Sequence, residues 1–351
     1  MINHFLEILN LISFEATFLF GVFFVTFFYW KKIYLSLSLK AYQSKQRLHQ
    51  DEVPRIGGLI IYLFLIITVL FSFESLLLNL ILIAAIPIIF IGAKEDLFHN
   101  TSPKLRLIFM IVSASLLIYL LPTNLPEINF PFINQVLSFS ILKEIFFIFS
   151  ILVIINGNNL IDGVNGNMAL TNIVQLVVLA LLGVNVNDNY IVDACFILLI
   201  PLVIFLIFNF PLGKIFSGDT GAYFYGFSIS TLVIYLFGEY GKLLSWNAIL
   251  ILIYPSIELL FSYIRKKIYE NKSPFTPDSK HLHSLIFRHL NKSLKLSNNS
   301  FVTVCLLPLI TSPFLVYLYS DDIFSLIFAI FTISIIYIMM YLFFLNLISK
   351  K

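Results

Sequence analysis

Charge is scarce in this chain. Only 12% of its 351 residues are Asp, Glu, Lys or Arg, while 59% are hydrophobic. A soluble domain of this length would need far more polar surface. The mean hydropathy of +0.95 therefore reads as an integral membrane protein. Cysteine is limited to two residues, Cys195 and Cys305, both inside apolar runs, which argues against a disulfide framework or a cysteine metal site. No soluble domain, internal repeat or low-complexity tract interrupts the chain, so 1–351 reads as a single integral membrane domain. The apolar run ending at Tyr29-Trp30-Lys31-Lys32 is too long for a signal-peptide core and no small-residue cleavage site follows it, so it reads as a retained first span. The net charge of +3 says little by itself, and no nucleic-acid partner is expected.

What is present in quantity is long apolar segments. Runs of about 17–25 residues mark spanning helices, and they fall near 11–30, 56–73, 76–93, 105–121, 138–156, 168–184, 191–209, 220–237, 245–264, 301–318 and 323–347. The expected fold is an all-α polytopic membrane protein with about eleven transmembrane helices. Lys31, Lys32, Lys40, Lys45, Arg47, Arg55, Lys94, Lys104, Arg106, Lys214 and the run from Arg265 to Lys295 all fall on one side of this layout. By the positive-inside rule that side is cytoplasmic, which puts the amino terminus outside and the carboxyl terminus in the cytoplasm.

Five polar clusters punctuate the spans, all on that basic side. The central one is Asn156-Gly157-Asn158-Asn159-Leu160-Ile161-Asp162-Gly163-Val164-Asn165-Gly166-Asn167. Asn156, Asn159 and Asp162 recur every third residue, so a helical turn would put them on one side. Pro54-Arg55-Ile56-Gly57-Gly58 enters the second span, and its glycine pair suits close helix packing. Glu95-Asp96 leaves the third span as adjacent carboxylates, which repel unless a cation lies near. Hard divalent ions take oxygen ligands, and Mg²⁺ typically combines one or two carboxylates with substrate phosphates. Asp219, flanked by Gly218 and Gly221 at a helix start, would hold a metal while free backbone N–H groups meet an anion, or serve as a turn and cap. The last cluster, His281-Leu282-His283 with Arg288, sits among lysines and suits phosphate better than metal. Acidic groups for a cation beside basic groups for phosphates are what phosphoryl transfer requires. Their setting among spanning helices implies a lipid substrate.

These motifs resemble those of the polyprenyl-phosphate N-acetylhexosamine-1-phosphate transferase superfamily, bacterial glycosyltransferase family 4. The likeness runs from about Val53 to Arg288, with the motifs in the family's order. Pro54-Arg55-Ile56-Gly57-Gly58 matches Pro-Arg-x-Gly-Gly, Asn156 to Gly166 matches Asn-x-x-Asn-x-x-Asp-Gly-x-Asp-Gly, and Phe216 to Gly221 matches Phe-Met-Gly-Asp-x-Gly. His281-Leu282-His283 is similar to the His-x-His of the undecaprenyl-phosphate GlcNAc-1-phosphate transferase branch rather than the three consecutive histidines of phospho-N-acetylmuramoyl-pentapeptide transferase. Glu95, Asn165, Ser217 and Ser284 depart from the family's Asp, Asp, Met and His.

The resemblance implies a Mg²⁺-dependent enzyme, with Mn²⁺ able to substitute. It would transfer HexNAc-1-phosphate from a UDP-HexNAc to undecaprenyl phosphate in the bacterial inner membrane, releasing UMP. Asp219 and Asp96 are implied as metal ligands, and Asp96, Glu95 and Asp162 as catalytic. Asn156, Asn159, Asn165, Asn209, Phe216, His281, His283 and Arg288 are implied in substrate binding. Direct in-line attack by the lipid phosphate is favoured over a two-step aspartyl-phosphate route. A homodimer is left open. The reading from another class is a flippase or transporter for an anionic glycolipid.

Overall fold

The structure is a computed structural model describing residues 53–71, 75–273, 278–294, 299–319 and 321–349. The expected first span at 11–30, and with it the side of the amino terminus, lies outside the described residues. Among the described residues there are helices and loops and no strand. In chain order the helices are α1 (Gly57–Phe71), α2 (Leu76–Phe98), α3 (Pro103–Leu120), α4 (Pro131–Val136), α5 (Ser140–Ile161), α6 (Asn167–Asn185), α7 (Asn189–Asn209) and α8 (Gly218–Glu239). They continue with α9 (Trp246–Ile251), α10 (Ile253–Ile264), a π-helical extension (Arg265–Tyr269), α11 (Leu282–Leu294), α12 (Ser300–Cys305), α13 (Leu307–Ile310), a 3₁₀ turn (Ser312–Leu315), α14 (Val316–Tyr319) and α15 (Ile323–Ser349).

Among the described residues seven helices, α2, α3, α5, α6, α7, α8 and α15, are long and apolar enough to cross a membrane. The protein is a multi-pass helical membrane protein. Among the described residues, not every span of the expected eleven or so is one continuous helix. The apolar stretch 245–264 divides into α9 and α10, and 301–318 into short pieces, while α1 has only 15 residues. Proline explains the breaks, because it removes an N–H and clashes with the carbonyl four residues earlier. Pro255 frees the carbonyl of Ile251, and Gln175 on α6 donates to that oxygen at 3.0 Å. Pro308 and Pro313 interrupt the later stretch in the same way. Such repairs are what lipid demands, since unpaired backbone groups in hydrocarbon cost several kcal/mol each.

The bundle is assembled around α8. Of its most apolar stretch 94% is buried in protein, against 22% for α15, although α8 is the least apolar of the seven. A helix sheathed by other helices gains nothing from greasy side chains and much from small ones that let backbones approach. Ser228, Ser230 and Thr231 turn their hydroxyls back onto carbonyls of their own helix at 2.7–2.9 Å, so these three ask nothing of the neighbouring helices. Helices α1, α2, α5, α6 and α7 pack around it. The glycine pair expected to serve close packing does so: a Cβ on Gly58 would lie 2.0 Å from the Gly221 nitrogen and 2.3 Å from its Cα.

Those distances set a stability test. Gly58→Ala is expected to cost about 3 kcal/mol or more, because backbone cannot give way as a flexible side chain does. Gly241→Ala, where nothing lies within 4 Å, is expected to change stability by less than about 0.5 kcal/mol. Thermal unfolding in detergent of the two variants checks the contrast.

Candidate active site

Several of the candidate residues gather where α8 begins. Gly218 has φ +70°, and the turn it makes aims the backbone N–H groups of Asp219 and Thr220 at the end of α2. Asp96 receives them there. Its carboxylate accepts from Asp219 N at 2.8 Å, Thr220 N at 2.9 Å and Thr220 Oγ1 at 2.6 Å. The residue is 2% exposed, so the ionised form depends on these bonds and on the positive end of the helix dipole. The expected free N–H groups at this helix start are therefore taken by protein. A strand-like pairing fixes the other side: Phe216 N donates to Pro54 O, and Gly57 N and Gly58 N donate to Phe216 O and Ser217 O, each at 2.9 Å.

With its backbone held, Asp219 presents its carboxylate outward. Oδ2 takes the Arg106 guanidinium at 2.8 Å and the Tyr223 hydroxyl at 2.7 Å, while Oδ1 accepts from Asn159 Nδ2 at 3.2 Å. Asp162 caps α5 and accepts from the Ser217 hydroxyl. Burial, which the Ser217 bond and nearby Arg55 only partly offset, pushes its carboxyl up to about 7. Two carboxylates, Asp162 and Asp219, thus face two arginines, Arg55 and Arg106, and feel one another. Arg106 and Tyr223 were missed in the sequence because Arg106 counts only as one more basic-side charge and Tyr223 sits in an apolar run. Their signal is spacing: Tyr223 is one turn beyond Asp219, and Arg106 one turn inside the α3 start.

The remaining expected residues are placed differently from one another. Glu95 accepts from Thr101 N at 3.0 Å and from the Thr101 hydroxyl, bracing the α2–α3 loop. Asn156 turns back on Leu152 O at 2.8 Å. Asn165 donates to Ser300 Oγ at 3.3 Å, and Asn209 bonds Gly166 N at 2.6 Å and Ile215 O at 2.8 Å. Both asparagines are buried and lock the polar loops together, a role their motif positions do not reveal. Phe216 is half-buried.

A roof of basic and histidine residues closes over this floor. His281 and His283 share a face even though Leu282 already begins α11, because His281 precedes the helix; their rings lie parallel, centroids 5.7 Å apart. A Cβ on Gly163 would lie 2.1 Å from His283 Nε2, so the roof rests directly on the Asp162-Gly163 turn. Burial pushes His283 down to about 4, so it is neutral at pH 7 and offers hydrogen bonds rather than charge. Arg288 bonds the Ser279 and Ser284 carbonyls. Arg265 joins Glu270 and Asp278, and Lys280 reaches Glu270 at 2.8 Å. The Lys280 contact, against some burial, leads in holding the Glu270 carboxyl down to about 2.

The family model for glycosyl transferase family 4 matches residues 78–237, a stretch that holds Asp96, Arg106, Asn159, Asp162, Asp219 and Tyr223. Over that stretch the chain is similar to this family. Among its relatives is a probable undecaprenyl-phosphate N-acetylglucosaminyl 1-phosphate transferase of Bacillus subtilis (strain 168), 28% identical over 72% of this chain and 71% of the relative. Undecaprenyl-phosphate alpha-N-acetylglucosaminyl 1-phosphate transferases of Thermotoga maritima and Salmonella typhi are 26% and 24% identical, covering 70% and 78% of this chain and 71% and 75% of the relatives.

A divalent cation can be tested against this site by its donor set. Among the described residues no group of three or more His, Cys, Asp or Glu side chains forms a protein-only cage. Asp219 nevertheless offers hard oxygens and already attracts the positive charge of Arg106. That fits a cation completed by substrate phosphates, as Mg²⁺ prefers.

Three outcomes are expected. Asp219→Asn lowers kcat by about 10²-fold or more, as loss of a key electrostatic group does, without lowering the unfolding temperature. Asp96→Asn lowers both, because an amide sets an NH₂ against a backbone N–H at the α8 start, costing about 1–3 kcal/mol. Tyr223→Phe removes one hydrogen bond to Asp219 and lowers kcat about 5-fold. Steady-state rates and melting curves on the same preparations separate them. The roof predicts a pH effect too. Glu270 has a lowered pKa, so the stability it adds is complete above about pH 4.5 and is lost as the pH falls toward about 2. Glu270→Gln is expected to flatten the melting temperature over that window.

Proposed function

We propose that this protein transfers HexNAc-1-phosphate from a UDP-sugar to undecaprenyl phosphate, releasing UMP and leaving a lipid-linked diphosphate sugar. The observation carrying this reading is the meeting of Asp219, Asn159, Asp162 and Arg106 at one end of a buried membrane helix, under a basic roof. The family and the names of the relatives agree with it. That end of the bundle is taken as the cytoplasmic face of the inner membrane, on the side where the lysines and arginines gather.

In the proposed reaction a lipid phosphate oxygen attacks the β-phosphorus of the UDP-sugar in line. The new bond is lipid O–P, the bond that breaks joins the β-phosphorus to the bridging oxygen, and UMP leaves with that oxygen. A phosphate monoester, with a second pKa of about 6, is already largely ionised at neutral pH, so the protein need not supply a strong base. Mg²⁺, held by Asp219 with Asp162 beside it, would neutralise the diphosphate and the leaving group. Asp96, expected as a second ligand beside Asp219, serves this arrangement instead by fixing the α8 start. Asn159 and Tyr223 aim the Asp219 carboxylate. Arg106 and Arg55 hold its surroundings near neutrality before the anionic donor arrives, and His281 and Arg288 meet the diphosphate or the sugar from the roof. A flippase reading is not favoured, since the polar clusters are gathered at one end of the bundle.

The substrate is proposed to be UDP-GlcNAc or a close UDP-HexNAc. The His281-Leu282-His283-Ser284 stretch lacks the third consecutive histidine of the muramoyl-pentapeptide branch. Purified protein with undecaprenyl phosphate, Mg²⁺ and a panel of UDP-sugars is expected to release UMP with UDP-GlcNAc at least about 10²-fold more efficiently than with UDP-MurNAc-pentapeptide. That ratio corresponds to about 3 kcal/mol of transition-state discrimination. Excess EDTA is expected to abolish release. Equal kcat/KM for the two donors would overturn the substrate assignment, and full activity in EDTA the metal assignment.

A further inference from the structure

Glu258 lies on α10, 1% exposed, and the chemistry proposed above makes no use of it. Burying a carboxylate is costly unless each oxygen finds a partner, and here each does. One oxygen faces His281 Nδ1 at 3.0 Å and the other accepts from the Tyr337 hydroxyl at 2.9 Å. Tyr337 is itself 1% exposed on α15, its ring packed edge-on against Phe261 of α10. One carboxylate therefore ties α10, the roof and the last helix together. The consequence passes to the second histidine, because the His281 ring lies parallel to His283, whose Nε2 abuts Gly163.

A carboxylate has no proton to give, so the proton of this hydrogen bond belongs to the ring. Which imidazole nitrogen carries a proton is decided by the partner of the other. We propose that Glu258 is a positioning residue for the transfer reaction: it holds His281 protonated on Nδ1 and fixes the ring plane, so that Nε2 is the nitrogen offered to the donor's diphosphate or sugar. The proposal rests on the transferase reading for the last of these roles. Tyr337 keeps the carboxylate oriented, which gives the carboxyl-terminal helix a part in the site that its apolar sequence does not suggest.

The test uses the full chain in lipid nanodiscs, labelled with ¹⁵N-histidine and free of substrate, with UMP release measured on the same preparations. Wild-type protein is expected to show one ring with a protonated, hydrogen-bonded Nδ1, assigned by its loss in H281A. In E258Q that signal is expected to disappear or shift to the Nε2–H tautomer, with kcat down about 10-fold or more and KM for the UDP-sugar within about 3-fold, as for other oriented histidines. E258D, which keeps the carboxylate, is expected to recover much of the rate and the Nδ1 signal. Y337F is expected to retain the signal and lose no more than about 3-fold in kcat. An Nδ1 proton unchanged in E258Q, a wild-type kcat in E258Q, or an E258D no better than E258Q would each overturn the proposal. If E258Q does not fold, loss of the Nδ1 signal in E258D overturns it as well. Should wild-type protein release no UMP from any donor, the transferase reading fails, and the ring signal still decides whether Glu258 holds His281.

Discussion

The Asp96 carboxylate at the first turn of α8 is the contact on which the rest is built. It joins the end of one membrane helix to the start of another through two backbone N–H groups and a hydroxyl. Its burial makes the arrangement all or nothing. A carboxylate with no water to fall back on must keep these donors, and a helix start with no water must keep its acceptor. The same turn sets the direction of Asp219, brings Gly221 against Gly58 and lets the Phe216–Ser217 segment pair with the entry to α1. Packing of the central helix and geometry of the site are thus one constraint.

Around that fixed point the charges are matched. Asp219 is paired with Arg106 and Asp162 lies in the field of Arg55, so the floor of the site is close to neutral as it stands. The roof carries its own closed network of Arg265, Glu270, Asp278 and Lys280. Each of these charges has a partner, as a membrane-embedded site requires. The histidines join the layers, with His283 seated on the Asp162-Gly163 turn and His281 tied down to Glu258. Polar residues deeper in the bundle, such as Gln175 and Tyr225, serve backbone carbonyls beside prolines.

Much of this was legible in the chain. Scarce charge and long apolar runs are enough for a multi-pass helical membrane protein, because lipid leaves few other ways to satisfy a backbone. Asn159, Asp162 and Asp219 stand out as polar residues between apolar segments, and the structure brings them to one place. Helix continuity was less legible. Hydropathy registers 245–264 and 301–318 as apolar but does not register that Pro255, Pro308 and Pro313 break them. Nor does it register that α8, the least apolar of the seven long helices, is the most buried. Burial in protein and burial in lipid favour different residues, and a one-dimensional scale merges them.

By itself, then, the sequence determined the solvent, the class of fold and the residue types available for phosphate chemistry, since these follow from composition and local order. Only the tertiary structure decided what each polar side chain does. Asp96 and Asp219 are both carboxylates in glycine-marked or acidic motifs, yet one faces a helix start and the other the mouth of the site. Asn165 and Asn209 lie in or beside the same motifs as Asn159 but bond loop backbone groups and a serine hydroxyl. Arg106, Tyr223, Glu258 and Tyr337 draw their meaning from partners 4 to 113 positions away. A hydrogen bond depends on a few tenths of an ångström and on direction, and neither is defined until the helices have packed.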